Sequence, residues 1–231
     1  MARITRKELK SDKFAQEIGL TVDFFEEHRE ELVRYGGIAL AVIALVAGYV
    51  VYARHQHAVR QDALYKAIEA AEAPVGAAQP GEVSFPTQQA KDDQTVKLFT
   101  DLTSKYGGSA EGDIAEYFLG SIRAEQGKLA DAEKYLLDAA QKGDAKYASL
   151  AKLALAQIYF EEGRADQGEK ILRDLMAHPT IFVSSDQAAI ELAREIIPKN
   201  PAEARKLLQP LLSKAGGTGQ TAGDLNAGIR Q

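Results

Sequence analysis

The sequence predicts an all-α protein, one transmembrane helix followed by an α-solenoid of about three helical hairpins. Three observations carry that prediction. An uncharged apolar run occupies residues 35–53, a set of residues recurs at a step of 36 positions in the second half, and alanine, leucine, glutamate and lysine dominate the longer segments. Those four residue types lose little side-chain freedom in a helical backbone. Runs of β-branched residues, which strands would need, hardly occur outside residues 38–51.

Composition narrows the function classes. The chain is 45% hydrophobic and 26% charged, with a net charge of −5, no tryptophan and no cysteine. Without cysteine there is neither a disulfide framework nor a thiolate metal site. Lysines and arginines are scattered among acids instead of clustering on one face, the opposite of what phosphate neutralisation requires, so no nucleic acid is expected as a partner.

Residues 1–34 form a charged N-terminal tail. It opens with Thr5-Arg6-Lys7-Glu8, a capping-box pattern, and carries Phe14 and Ile18 one helical step apart. Val22, Phe24 and Phe25 precede the polar run Glu26–Glu31, which contains His28 and reads as a solvated lead-in to the membrane. Residues 35–53, bounded by Arg34 and Arg54, are long enough to cross about 30 Å of hydrocarbon as a helix. The run has no polar stripe of the kind a core helix would show. Tyr35, Tyr49 and Tyr52 stand near its ends, as interfacial aromatics do. Val50-Val51-Tyr52-Ala53-Arg54 is a poor cleavage site, so the run reads as a retained anchor. Arg3, Arg6, Lys7, Lys10, Lys13, Arg29 and Arg34 place the N-terminus in the cytoplasm. Arg54, Arg60 and Lys66 on the other flank nearly balance them in a narrow window.

Residues 54–73 continue as a helical stalk with Leu64, Ile68 and Ala71 on one side, stopped by Pro74. Residues 74–94, with Pro80, Gly81 and Pro86, read as a linker. A repeat domain follows over 95–214. The glycine-rich stretch 215–231 lacks an evident apolar face and is expected to be a disordered tail.

The repeat is the main signal of the second half. Leu119-Gly120 aligns with Leu155-Ala156, Gly127 with Gly163, Ala132 with Gly168, and Leu136 with Leu172, each pair 36 residues apart. One further step reaches Ala204 and Leu208, and the segment from Thr95 to Tyr106 fits the second helix of an earlier unit. Small residues at these positions allow close helix contact, the two glycines can end a helix at positive φ, and the leucines fill the space between neighbouring hairpins. The pattern resembles the tetratricopeptide repeat: Leu-Gly, an aromatic at Tyr159, a turn glycine, a small residue and a large apolar one. It departs from that family in its longer period, in Arg123 at the aromatic position of the first unit, and in proline placement. A generic array of helical hairpins fits the same periodicity.

No constellation of an enzyme stands out. Gly107-Gly108-Ser109 lacks the lysine of a phosphate loop and reads as an interhelical turn. His55 and His57 diverge on a helix with no third ligand, and His178 sits at a helix end, where it caps carbonyls. Glu161-Glu162 and Asp92-Asp93 are adjacent and therefore point apart. Ser184-Ser185-Asp186 reads as a helix N-cap. No cofactor, metal or small-molecule substrate is expected.

In tetratricopeptide domains the first helices of successive units line a concave groove. Carried over by register, that resemblance implies a peptide groove of Tyr117, Ser121, Leu153, Gln157, Phe160 and Glu161. Tyr117 and Ser121 do not match the lysine–asparagine clamp that some of these domains use for a carboxylate tail. The groove is apolar and amide-rich, suited to an extended or helical peptide, and the same residues also fit a plain core.

The whole layout resembles the ancillary, YfgM-like subunits of the bacterial SecYEG translocon: charged tail, one membrane helix, helical stalk, degenerate repeats. That resemblance implies a protein of the bacterial inner membrane, N-terminus cytoplasmic and repeat domain periplasmic. Its partners would be translocon subunits, exported chains or periplasmic chaperones. A scaffold subunit of another envelope-biogenesis assembly, an enzyme hidden in the helical domain, and a cytoplasmic regulatory module of opposite orientation fit the same layout.

Overall fold

The computed structural model describes residues 29–77 and 81–229. The readings made on Thr5, Glu8, Phe14, Ile18 and His28 lie outside them. The chain divides after Ala58 into two compact units. Among the described residues all regular structure is helical apart from an isolated bridge between Val75 and Phe85.

Helix α1 runs Arg29–Glu72, and its part up to Ala58 belongs to the first unit. Glu30 and Glu31 lie in its first turn, where a carboxylate complements the free N–H groups. Beyond them the large side chains stand open: Val33, Ile38, Leu40, Ile43, Leu45 and Val51 are all exposed. A patch of this size is not left bare in water. This helix is the one among the described residues long and apolar enough to cross a membrane.

The second unit begins at Val59. Residues 54–73, expected as a helical stalk, are helical to Glu72, and from Val59 on they pack within this unit. Ala67 is fully buried, and Ala63, Leu64, Ile68 and Ala71 pack with it against Phe99, Leu102 and Leu119. The apolar stripe read from the sequence needed a cover, and α2 (Gln88–Tyr106) and α3 (Ala110–Glu125) provide it. Arg60 Nε donates to the buried carboxylate of Glu111 at 3.0 Å and ties α1 to α3. The expected linker, 74–94, is shorter than predicted because α2 starts at Gln88, its first turn capped by Thr87, whose hydroxyl accepts from Ala90 N–H. The Gly76 N–H donates to Phe85 O at 2.8 Å and closes the connection before it.

Three hairpins follow: α3 with α4 (Leu129–Lys142), α5 (Ala145–Glu161) with α6 (Ala165–Ala177), and α7 (Ser185–Ile196) with α8 (Pro201–Leu208). Ser109, Ser184 and Asn200 cap α3, α7 and α8 through side-chain oxygens that accept backbone N–H groups. The hairpin turns are built alike. Gly127 and Gly163 have φ of 70° and 75°, and each receives the reversal typical of a helix end. Gly127 N–H bonds Ala124 O and Lys128 N–H bonds Arg123 O; Gly163 N–H bonds Phe160 O and Arg164 N–H bonds Tyr159 O. Both are Schellman ends, in which a left-handed residue lets two orphan carbonyls find donors.

The core is layered by hairpin, as the repeat predicts. Leu136 packs with Ala151, Leu155, Ile158 and Tyr159 between the first and second hairpins. Leu172 and Leu208 sit in the next layer with Leu153, Leu192 and Ile196. At Gly120 a Cβ would stand 2.7 Å from Leu136 Cγ, so glycine there sets how closely α3 and α4 approach.

The expectation of a disordered tail over 215–231 is corrected by helix α9 (Gly217–Gly228). Ala222 is fully buried, and Leu225 and Ile229 pack on the same layer. Residues 222, 225 and 229 form a helical stripe (i, i+3, i+7) that closes the open end of the last hairpin. Arg205 donates to Ile229 O at 3.0 Å and fastens it.

Candidate protein-interaction groove

The first helices of successive hairpins, α3 and α5, meet side by side. Between them opens a cavity of about 390 Å³. Tyr117, Ser121, Ala124 and Glu125 line it from α3; Ala154, Gln157, Ile158 and Glu161 line it from α5. A second cavity of about 340 Å³ adjoins it toward α2, sharing Tyr117, Ser121 and Glu125 and adding Gln88, Lys91, Asp92 and Thr95. The two form one groove across three helices. The Thr95 hydroxyl, on the α2 wall, is buried without a hydrogen-bond partner among the described residues. Ser121 Oγ donates back to Tyr117 O at 3.0 Å, which leaves its lone pairs toward the groove as acceptors.

Of the six residues placed in a groove by register, the structure brings four together: Tyr117, Ser121, Gln157 and Glu161. Leu153 and Phe160 are not among them. Leu153 is 9% exposed in the layer below α7, and the Phe160 ring covers Gly168 within the second hairpin. Phe160 points about 100° away from its neighbour Glu161, as consecutive helical residues do; for Leu153 the cause is helical drift. Steps of four advance about 40° on a helix of 3.6 residues per turn, so Leu153 has turned about 80° from Glu161, toward the next hairpin.

An aromatic run borders the groove. Phe99 and Phe118 stack at 5.1 Å, Tyr117 meets Phe118 at 5.3 Å and Tyr147 at 5.8 Å, and Tyr147 meets Phe182 edge-on at 5.4 Å. Such pairs add a modest attraction beyond their buried area and orient the rings. Phe182 is held there by a turn. The Thr180 hydroxyl accepts from Phe182 and Val183 N–H groups and bonds Ser149 Oγ at 2.7 Å, while Val183 is fully buried. With Val183 anchored inward, Phe182 faces Tyr147 and Ile181 stands open at 78% exposure. The sequence reading missed Tyr147 and Phe182 because neither falls on the repeat register. It missed Glu125 too, which one backward step from Glu161 would have found.

The other sites weighed from sequence resolve as local structure. Glu162 pairs with Arg164 at 2.9 Å while Glu161 faces the groove, so the adjacent acids do point apart. His178 Nδ1 lies 3.0 Å from Asp174 Oδ1 and 3.2 Å from its carbonyl at the end of α6. The turn Gly107-Gly108-Ser109 joins α2 to α3. Among the described residues no cluster of His, Cys, Asp and Glu has the geometry of a metal site.

A family model described as a tetratricopeptide repeat-like domain matches residues 23–188. The chain belongs to that family. No curated protein and no solved structure matches it. The matched stretch takes in the apolar helix together with the first two hairpins, so the tetratricopeptide repeat-like domain contains both the groove and the segment leading to it. Domains of this kind are protein–protein interaction modules, typically without catalysis of their own.

Proposed function

We propose that this protein is a membrane-anchored interaction module serving protein export, with residues 35–53 spanning the bilayer and the groove contacting other proteins. The observation that carries the anchor is the open apolar surface of α1, whose large side chains find no protein cover ahead of a well-packed repeat unit. In this reading the N-terminus lies in the cytoplasm, on the strength of the basic residues between Arg3 and Arg34. The repeat unit then lies on the far side of a bacterial inner membrane. The resemblance of the layout to ancillary translocon subunits supports a place beside the export channel, contacting translocating chains or periplasmic chaperones. Tyr117, Ser121, Gln157 and Glu161 are the groove residues assigned to that contact.

The test is photo-crosslinking of the full chain in native membranes, with the probe at the exposed Gln157. Recovery of channel subunits, envelope chaperones or exported chains is the expected result. Recovery of cytoplasmic proteins alone would invert the topology and remove the export reading. Recovery of one other envelope assembly would make the protein a scaffold of that assembly instead.

A further inference from the structure

The groove has two unlike edges. One is the aromatic run, with Tyr117, Tyr147 and Phe182 partly or largely open. The other is acidic, and it is acidic in register. Glu125 is the last residue of α3 and Glu161 the last of α5, 36 positions on. Glu125 and Glu161 line the same cavity.

Neither forms an ion pair among the described residues. Their position is unfavourable on its own account. A carboxylate in the last turn of a helix faces the negative end of the backbone dipoles. Two such carboxylates, on successive hairpins, line one cavity. Several other acids of the unit are matched: Glu133 and Glu162 by Arg164, Asp174 by Lys152, Glu203 by Arg173. Lys91 and Asp92, one of each sign, line the adjoining cavity together with Glu125, so the groove keeps an acidic excess.

We infer that the groove takes a cationic amphipathic segment of a partner protein, its apolar side chains on the aromatic run and its lysines or arginines on Glu125 and Glu161. The inference rests on the interaction reading above and adds the partner's chemistry. The occupant is fixed by charge complementarity across a groove whose two edges ask for different side chains. Neighbouring helices pack about 8–10 Å apart, so the two carboxylates ask for basic residues at a comparable spacing. In a bound helix, rising about 1.5 Å per residue, that is about five to seven positions.

Two labelled peptides of equal length test this. They share the same leucines and phenylalanines, and their polar positions are filled by lysine in one and glutamate in the other. Binding is followed by fluorescence anisotropy to the full chain in discs of zwitterionic lipid, with empty discs as the blank. The lysine peptide is expected to bind on the order of tenfold tighter. The double variant Glu125→Gln, Glu161→Gln should remove that preference, and it should fold, since it deletes charges from unfavourable helix ends. Asp101→Asn, Asp131→Asn removes the same charge from exposed positions outside the groove and should keep the preference. Equal binding of the two peptides, no binding of either, or loss of preference in both double variants alike would overturn the inference. A protein crosslink at Gln157 without lysine preference sinks it alone and leaves the module; lysine preference without any crosslink does the reverse.

Discussion

The first and second hairpins share a register but not a chemistry. In each, a leucine from the second helix fills the layer to the next hairpin: Leu136 is 0% and Leu172 1% exposed. In each, a glycine at positive φ turns the chain. Around that frame the first hairpin buries carboxyl groups. Asp113 and Glu116 on α3 lie 6% and 9% exposed, each with an oxygen that finds no hydrogen-bond partner among the described residues. The second hairpin instead packs Leu153, Leu155, Ile158 and Tyr159 on α5. It adds a clasp back to the first: the Arg164 guanidinium bonds both oxygens of Glu133 at 2.8 and 2.9 Å and lies over the Tyr159 ring at 4.0 Å. The difference teaches that the solenoid needs equivalence only at turn and layer positions; other positions on the repeat are free to carry charge.

The sharpest way to break the comparison is to empty the two layer positions. Leu136→Ala and Leu172→Ala should each destabilise the chain by about 2–5 kcal/mol, the range for buried leucines whose surroundings collapse only partly. Urea unfolding of the full chain in mild detergent reads both. If the registers are equivalent the two losses agree to within about 1 kcal/mol. A Leu172→Ala loss close to zero would show the second layer to be held by other contacts and the equivalence to be formal.

A smaller effect separates the hairpins. At Gly120 an added Cβ meets Leu136 Cγ at 2.7 Å and Cδ2 at 2.9 Å, on a side chain that is fully buried and has nowhere to go. At Gly168 it meets the Phe160 ring at 2.6 Å, but that ring is partly open and can swing, leaving Ala156 O at 3.0 Å to yield slightly. Alanine gains about 1 kcal/mol of helix propensity at both. Gly120→Ala should therefore lose about 1–3 kcal/mol net, from overpacking, and Gly168→Ala should stay within about 1 kcal/mol of wild type. Thermal unfolding ranks them; the reverse order would mean that α5–α6 is the tighter hairpin.

The same contrast explains what the sequence disclosed. Turn glycines and layer leucines repeat at fixed spacing because every hairpin needs them, so Gly127, Gly163, Leu136, Leu172 and Leu208 were legible. Helix α9 was not, because its four glycines masked the stripe of Ala222, Leu225 and Ile229, whose burial depends on the last hairpin lying open beneath it. Half the groove was legible for a related reason. Register fixes which helices lie side by side, and the structure sets Tyr117, Ser121, Gln157 and Glu161 around one cavity. Register does not fix helix rotation two turns away, which turned Leu153 inward. Nor does it reach loops, where Phe182 depends on a Thr180–Ser149 bond between residues 31 apart.

The buried acids of the first hairpin make the finest test, because they set it against the clasp of the second in sign as well as size. Burial raises Asp113, with Lys142 opposing; burial also raises Glu116, helped by Asp138 and Asp113 and opposed by Lys142. A carboxyl whose folded pKa exceeds its unfolded value, about 4, stabilises the fold most below that value and progressively less as pH rises through the folded one. Glu133 is shifted the other way, lowered first by its hydrogen bond from Arg164, so its contribution is complete above the unfolded pKa and is lost as pH falls through the folded one. Asp113→Asn with Glu116→Gln should therefore stabilise the chain at pH 7 by on the order of 1 kcal/mol, the penalty of a buried charged group lacking a partner, and the gain should fade toward pH 4. Glu133→Gln should lose stability at pH 7, and that loss should hold down to about pH 5 and fade only below the unfolded pKa. Unfolding midpoints of both variants and wild type between about pH 3 and pH 8 decide it. If the double amide is less stable than wild type at pH 7, the two carboxylates are satisfied as charges, and the first hairpin is no more strained than the second.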